Sequence, residues 1–128
     1  MRLLLDTHLL IWATMDSPKL KPKARHLIEN PSNQLAFSAA SIWEVAIKNG
    51  IARSGVVVDP AVLRQGLIDA GFDELSITAL HALATQSLPM IHSDPFDRLL
   101  IAQASSEGAT LLTSDRLVAS YPGPITRI

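Results

Sequence analysis

Apolar and polar positions along the chain follow two alternating patterns. Short, nearly continuous apolar runs are typical of strands buried on both faces, and they predict strands over residues 2–5, 34–37, 73–77, 110–113 and 125–128. Between them, apolar residues recur every three or four positions, which predicts helices over residues 7–14, 22–30, 38–49, 60–71, 78–87 and 95–108. Strands that alternate with helices are typical of a parallel sheet.

Residues with strong turn or capping preferences mark the ends of these helices. Ser38 and Thr78 stand where N-caps are expected, and Pro95 occupies a first helical position after Asp94. Asn49–Gly50 is a C-terminal signal that predicts a left-handed cap. The boundaries therefore agree with the periodicity.

The alternation predicts an α/β fold with three layers, α/β/α, around a central, mainly parallel sheet. A single domain over residues 1–128 is expected, because 128 residues suit one core and no internal repeat or Gly/Ser-rich linker divides them. Ligands of such sheets collect at the carboxyl ends of the strands. Residues that directly follow a predicted strand are therefore the first candidates for function.

Composition narrows the class of protein. With 48% hydrophobic and 18% charged residues, the chain is expected to be an ordered globular protein. The absence of cysteine excludes disulfides, thiolate zinc sites and cysteine nucleophiles, and it suits a reducing cytoplasm. The opening apolar run is too short for a signal peptide, and no run approaches a membrane span. We therefore expect a cytoplasmic protein.

The net charge of −1 argues against binding of nucleic acid by bulk electrostatics, so any such contact must be local. Two groups of basic residues are candidates for such a local contact. For the first group, a solvent-exposed loop and helix face without a binding role is the favoured interpretation. The first group is Lys19, Lys21, Lys23 and Arg25, and the looser second group is Lys48 and Arg53.

Four acidic residues stand where an apolar run meets a turn or a helix start. They are Asp6, Glu44, Asp97 and Asp115. An ionised carboxylate drawn partly out of water needs a partner or a cation, or else takes up a proton. No Lys or Arg pattern supplies four partners, so the sequence predicts a divalent metal ion, with all four acids as ligands and catalytic residues.

Helix capping is the alternative for each acid taken singly. Ser41 and Glu44 have the spacing of a capping box, Asp97 lies three positions after the expected N-cap Asp94, and Asp115 could cap a short helix. Asp6 is the hardest to explain as a cap, because Thr7 already offers a capping hydroxyl. Four acids gathered at one sheet edge would repel each other, and stability alone would not select that arrangement.

The chain resembles the PIN domain family, in the branch that contains VapC toxins of toxin–antitoxin pairs. The resemblance runs end to end, and its most specific part is His-x-Asp-Pro-Phe-Asp-Arg over residues 92–98; Leu-Asp-Thr at the start and Leu-Leu-Thr-Ser-Asp before residue 116 add to it. It implies an Mg²⁺ or Mn²⁺ cluster on the four acids, with the Ser114 hydroxyl assisting and Thr7 as its counterpart. It also implies an RNA substrate, a homodimer and a small VapB-like antitoxin, anchored in the acidic groove by a basic side chain such as arginine.

The chemistry of the acids agrees with that resemblance. Hard oxygen ligands suit Mg²⁺ or Mn²⁺, and one or two ions can activate water for attack on a phosphodiester. We expect Asp6 and Asp97 to be the principal ligands, with Asp115 completing a second site and Glu44 acting as a ligand or proton acceptor. Attack by water, rather than by a ribose 2′-hydroxyl, predicts products with a 5′-phosphate and a 3′-hydroxyl. The predicted enzyme is a hydrolase, specifically an endoribonuclease.

Other polar residues near the acids have weaker signals. Asp94 is either an additional metal ligand or a cap that pairs with Arg98 four positions later, and the cap and ion pair are favoured. His8, His92 and Arg116 stand close to acids, but structural or exposed positions are the default for them.

Two tryptophans stand on predicted helices with apolar neighbours. Core packing is the ordinary explanation for Trp12 and Trp43, and a helix-mediated dimer surface is the alternative that the resemblance favours.

Three other functions stay open. A phosphotransfer domain needs a second acid two residues after the first, or a lysine at a late strand end, and Asp6-Thr7-His8 offers no such acid. A non-toxin PIN nuclease would process RNA with the same residues. A non-catalytic binding module would use the acids only as caps, which tolerate Asn in place of Asp.

Overall fold

A five-stranded parallel sheet forms the centre of the protein in the computed structural model, which describes residues 1–49 and 58–128. The strand order is β3-β2-β1-β4-β5, and every neighbouring pair is parallel. The strands are β1 (Arg2–Leu5), β2 (Gln34–Ser38), β3 (Asp73–Leu75), β4 (Thr110–Thr113) and β5 (Ile125–Arg127). The predicted sheet is confirmed, although β3 is shorter than expected.

Seven α-helices connect and cover the strands in the described part of the chain. They are α1 (Thr7–Thr14), α2 (Pro22–Glu29), α3 (Ala39–Asn49), α4 (Pro60–Asp69), α5 (Ala79–Ala84), α6 (Pro95–Glu107) and α7 (Arg116–Ala119). The predicted helix over 78–87 continues after α5 only as one 3₁₀ turn, Thr85–Ser87. The left-handed cap expected at Gly50 lies outside the described residues, as does Arg53.

Alternating side chains of the central strand divide the core into two halves. Leu3 and Leu5 pack with Phe37 and with residues of α1, α2 and α4 on one face. Leu4 packs with Leu111 and with residues of α6 and α7 on the other face. Because β1 is apolar on both faces, it can lie only between two helical layers. The three-layer α/β/α architecture is confirmed.

The connections bring several functional candidates to one edge of the sheet. Strand β1 lies between β2 and β4, and the three run in the same direction. Asp6 directly follows β1, α3 directly follows β2, and Ser114 directly follows β4. Parallel strands thus deliver residues from three distant parts of the sequence to the same edge.

No helix within the described ranges is long and apolar enough to cross a membrane.

Replacement of Leu4 by alanine tests the central position of β1. Leu4 is fully buried and pairs with Ala36 and Leu111 on the neighbouring strands. We expect the free energy of unfolding to fall by about 2–5 kcal/mol, through lost burial and the cavity left behind. Urea denaturation measures this, with Val62→Ala on the exposed side of α4 as a control that changes it by less than about 0.5 kcal/mol. Equal losses in the two variants would contradict the assignment.

Candidate metal centre

Asp6 ends β1 and is at the same time the N-cap of α1. Its Oδ1 accepts a hydrogen bond from the Leu9 backbone N–H at 2.9 Å, and its Oδ2 accepts one from the Thr113 hydroxyl at 2.6 Å. The residue is only 4% exposed. Burial raises the pKa of the Asp6 carboxyl, although the bonds from Thr113 and Leu9 work in the opposite direction. Asp6 is therefore a buried acid held by neutral donors.

The end of β4 lies beside Asp6. The Thr113 hydroxyl that bonds Asp6 also accepts from the Asp115 backbone N–H at 3.0 Å, and the Ser114 backbone N–H bonds Asp6 as well. The buried hydroxyl on Asp6 thus belongs to Thr113, whereas we expected the Ser114 hydroxyl to assist. Thr113 is the last residue of a buried strand, and that position was the only sequence signal for it.

Asp115 begins α7 as its N-cap. The Leu117 and Val118 backbone N–H groups both donate to its Oδ1, at 2.7 and 3.2 Å. Among the described residues, no donor is bonded to its Oδ2. The cap therefore leaves one carboxylate oxygen of Asp115 for another ligand.

Glu44 lies in the second turn of α3, rather than in the first turn as expected. It is 3% exposed, and its Oε1 accepts from the Thr7 hydroxyl at 2.7 Å. The expected capping box between Ser41 and Glu44 is wrong, because Ser41 already lies inside α3 and Ser38 Oγ accepts from the helix-start N–H of Ala40 at 3.0 Å. Glu44 therefore does not cap α3, and its carboxylate instead contacts Thr7, the residue after Asp6.

Asp97 lies in the first turn of α6 with another acid close by. Its Oδ2 is 2.8 Å from the His92 Nε2. Burial raises the pKa of Asp97 to about 6, helped by repulsion from Asp94 and Glu44 and opposed by the bond to His92. The repulsion from Glu44 indicates that its carboxylate on α3 lies close enough to Asp97 on α6 for its charge to act there.

Asp94 is the N-cap of α6, as predicted. Its Oδ1 accepts from the Phe96 and Asp97 backbone N–H groups at 2.8 and 3.3 Å. One ligand atom each from His92, Asp94 and Asp97 lies within 4.8 Å of the other two. This set has the spacing of groups that hold a metal ion.

The predicted ion pair between Asp94 and Arg98 is wrong. Arg98 instead donates to the carbonyl oxygens of Pro89 and Thr85 at 2.9 and 3.0 Å, and to the Tyr121 hydroxyl at 3.1 Å. A spacing of four residues on a helix allows the ion pair. The backbone carbonyls of the preceding segment, however, offer the guanidinium more hydrogen bonds than one capping carboxylate does. Arg98 therefore holds the segment that leads to His92.

Tyr121, which lies between α7 and β5, also binds the segment that contains His92. Its hydroxyl accepts from the His92 backbone N–H at 2.7 Å and donates to the His92 carbonyl at 3.0 Å. Tyr121 is buried, and we had not identified it from the sequence. Together with Arg98 it fixes the backbone of His92, whose ring contacts Asp97.

The acids fall into two linked halves. Thr113 bonds the Asp6 carboxylate and the Asp115 backbone N–H in one half, and in the other the charge of Glu44 acts to raise the pKa of Asp97. Thr7, the residue after Asp6, bonds Glu44 and thereby connects the halves. Carboxylate oxygens are the donors that Mg²⁺ and Mn²⁺ prefer, so the donor set fits a hard divalent ion.

The remaining candidates take no part in these hydrogen bonds, although the charge of His8 acts to lower the pKa of Asp6. His8 and Arg116 are exposed, and the ring of His8 packs against that of Trp12 with centroids 5.8 Å apart. Lys19, Lys21 and Lys23 are exposed, as the solvated interpretation predicts, and Arg25 pairs with Asp16 at 2.6 Å.

One buried histidine escaped the sequence analysis. His81 accepts from the Thr78 backbone N–H through Nδ1 at 3.0 Å, and its Nε2 lies 2.9 Å from Glu107 Oε1. This capping arrangement ties α5 to the end of α6 and leaves His81 no part in the acid cluster.

The pKa of Asp97 predicts a pH dependence for the metal-free protein. A carboxyl whose pKa is raised on folding stabilises the fold while it is protonated, and this contribution is lost as the pH rises from about 4 to about 6. In EDTA, Asp97→Asn should therefore gain stability relative to the unaltered protein across this interval. Urea denaturation at a series of pH values measures the difference, in which titrating groups that do not interact with Asp97 cancel. A difference that does not change with pH would contradict the raised pKa.

Comparison with known proteins agrees with the fold. The family model for the PIN domain matches residues 3–123. Ribonuclease VapC22 of Mycobacterium tuberculosis is 31% identical over 126 residues, which cover 96% of this chain and 95% of that protein.

Solved structures share the fold at low sequence identity. VapBC2 from Rickettsia felis, bound to a DNA fragment from its promoter, superposes with a TM-score of 0.69 at 17% identity, covering 100% of this chain and 99% of that one. DNA-bound VapBC from Salmonella typhimurium gives a TM-score of 0.69 at 18% identity, covering 99% and 98%. With the family model spanning nearly the whole sequence and a curated relative aligned end to end, this chain belongs to the PIN domain family.

Proposed function

We propose that this protein is a divalent-metal-dependent endoribonuclease that serves as the toxin of a VapBC-type toxin–antitoxin pair. The observation that carries the proposal is the crowding of acids at the carboxyl edge of the sheet, where one ligand atom each from His92, Asp94 and Asp97 lies within 4.8 Å of the other two and where Glu44 also acts on Asp97. Such crowding costs stability unless a cation binds there. The similarity to a ribonuclease supports a role for that cation in the cleavage of RNA.

We assign Asp6, Glu44, Asp97 and Asp115 as the residues that hold Mg²⁺ or Mn²⁺. When bound, the divalent ion supplies Lewis-acid polarisation of the phosphodiester and a lowered pKa of water. Around it, Thr113 fixes Asp6, Thr7 fixes Glu44, and His92 fixes Asp97. Each bond limits the rotation of one carboxylate, which preorganises the acids before RNA arrives.

Water is the proposed nucleophile, and the products are a 5′-phosphate and a 3′-hydroxyl. We assign Glu44 as a ligand or as the acceptor of the proton of that water, and either role requires Glu44 to exchange its bond to Thr7 or to Lys48. Asp94 supports α6 as its cap and adds negative charge beside Asp97.

Asparagine at Asp97 tests the metal-dependent nuclease. Asp97→Asn should lower Mg²⁺-dependent cleavage of RNA at least about a hundredfold while the protein stays folded, because a neutral amide binds a hard cation far less well. Gel analysis of a defined RNA measures the rate, and the reactivity of the ends toward phosphatase and ligase identifies the products.

Asp59→Asn is the matched control, because Asp59 caps α4 through the Ala61 and Val62 N–H groups and lies outside the acid cluster. It should cleave RNA at the unaltered rate, since Asn is a good cap. Full activity in Asp97→Asn would favour a non-catalytic module whose acids are only caps. Cyclic-phosphate ends would contradict attack by water.

The antitoxin is the second proposed partner. The structural neighbours are VapBC complexes, so a small VapB-like protein is the expected ligand of this chain. An arginine of that partner, placed among the acids, would replace the missing positive charge with bidentate hydrogen bonds. Sequencing of RNA 5′ ends after brief expression in the cytoplasm, beside Asp97→Asn, separates a growth-arresting toxin from a nuclease of ordinary RNA processing.

A second copy of the chain is the third proposed partner. An apolar groove of about 230 Å³ is lined by Ala39, Ala40, Trp43, Ile77 and Leu99. Trp43 is 59% exposed beside it, and Leu80 and Leu83 of α5 are also exposed. The tryptophan packs edge-on against Phe96 with ring centroids 5.1 Å apart, which leaves its other side to solvent. Two copies related by a two-fold axis would bury this apolar groove against the same groove of the other copy.

Trp43→Glu should convert the dimer into a monomer. The substitution would bury one carboxylate without a partner on each copy, and the cost of that burial opposes association. Light scattering coupled to size-exclusion chromatography measures the mass. Val62→Glu, at an exposed apolar position of α4, is the matched control and should remain dimeric. A monomeric unaltered protein would contradict the proposal.

A further inference from the structure

Lys48 shares one face of α3 with Glu44, because the two residues are four positions apart. The Lys48 ammonium donates to Glu44 Oε2, while the Thr7 hydroxyl donates to Oε1 at 2.7 Å. Glu44 is 3% exposed and the Lys48 side chain 32% exposed, so this ion pair lies at the edge of the acid cluster rather than out in solvent. Both oxygens of Glu44 are thereby engaged, one of them by a cation.

The charge of Lys48 is also attracted by acids of a second helix. Partial burial disfavours the ammonium, but the bond to Glu44 and the attraction of Glu44, Asp94 and Asp97 together raise the pKa of Lys48. The Lys48 ammonium on α3 is thus close enough to the start of α6 for the charges of Asp94 and Asp97 to act on it. It stands where the proposed divalent ion also finds its ligands.

We propose that Lys48 is a positioning residue that acts as a cation built into the protein. It holds Glu44 in the metal-free centre and competes with divalent metal for that carboxylate. It thereby limits the Glu44–Asp97 half to one tightly bound ion. The inference rests on the proposed metal-dependent function. It adds a residue that determines how many divalent ions the centre binds and how tightly it binds them.

The balance of charge supports this inference. Among the described residues, the charges of Glu44, Asp94 and Asp97 all act on Lys48, so its ammonium offsets part of the negative charge of this half. A divalent ion bound there adds to that positive charge, and a second ion would lie close to like charges. Repulsion between cations is strong at short distance in a partly buried site, where salt screens it weakly.

Titration with Mn²⁺ alone, without RNA, tests the role of Lys48. Electron paramagnetic resonance of free Mn²⁺ gives the affinity and the number of bound ions for the full-length protein. Lys48→Met removes the charge and the hydrogen bond, Lys48→Gln removes the charge but keeps a donor, and Lys48→Arg keeps the charge. Lys23→Met, at an exposed position of α2, makes the same change in net charge away from the centre.

Both neutral variants should bind Mn²⁺ about tenfold or more tightly, or bind one ion more than the unaltered protein. Lys48→Arg and Lys23→Met should stay within about threefold of it. The Gln variant keeps the result informative if loss of the bond to Glu44 disturbs α3 in the Met variant.

Unchanged or weaker Mn²⁺ binding in Lys48→Gln would overturn the inference, and it would leave the proposed function intact if RNA is still cleaved. Tighter binding in Lys23→Met as well would assign the effect to net charge, which also overturns it. Failure of every protein to bind Mn²⁺ would overturn the inference and the metal-dependent function together.

Discussion

Repulsion among carboxylates at the carboxyl edge of the parallel sheet is the constraint on which the rest of the site depends. A parallel sheet brings the ends of β1, β2 and β4 together, and in this chain those ends carry acids or lead into helices that carry them. Burial and mutual repulsion raise the pKa of Asp97, and burial raises that of Asp6. The fold accepts this cost because the apolar strands behind the edge supply the stability.

The acids serve as helix caps and as candidate ligands at the same time. Asp6, Asp94 and Asp115 each cap a helix, and in each the cap bonds fall on Oδ1. A carboxylate has two oxygens, so a cap fixes its orientation and leaves the second oxygen for another partner. Capping and metal binding are therefore compatible interpretations of the same residue, although they were alternatives when only the sequence was considered.

Neutral donors and one cation orient the acids that burial would otherwise leave unsatisfied. Thr113 bonds Asp6, Thr7 bonds Glu44, and Lys48 supplies the charge that no surrounding hydroxyl can. Farther out, Arg98 and Tyr121 fix the backbone of His92 beside Asp97. The arrangement resembles a site prepared for a cation, with the supporting contacts already formed.

The order of strands and helices, the three-layer class and the positions of Asp6, Asp97 and Asp115 at a strand end or helix start followed from the sequence, because periodicity, caps and apolar runs are local properties of the chain, whereas Glu44 lies one turn farther into its helix than expected. The fine structure of the site did not. Thr113 reaches Asp6 across 107 residues and Thr7 reaches Glu44 across 37, while Arg98 turned from Asp94 to backbone carbonyls. Such partners depend on which strands lie side by side and how helices cross above them, and only tertiary packing decides that.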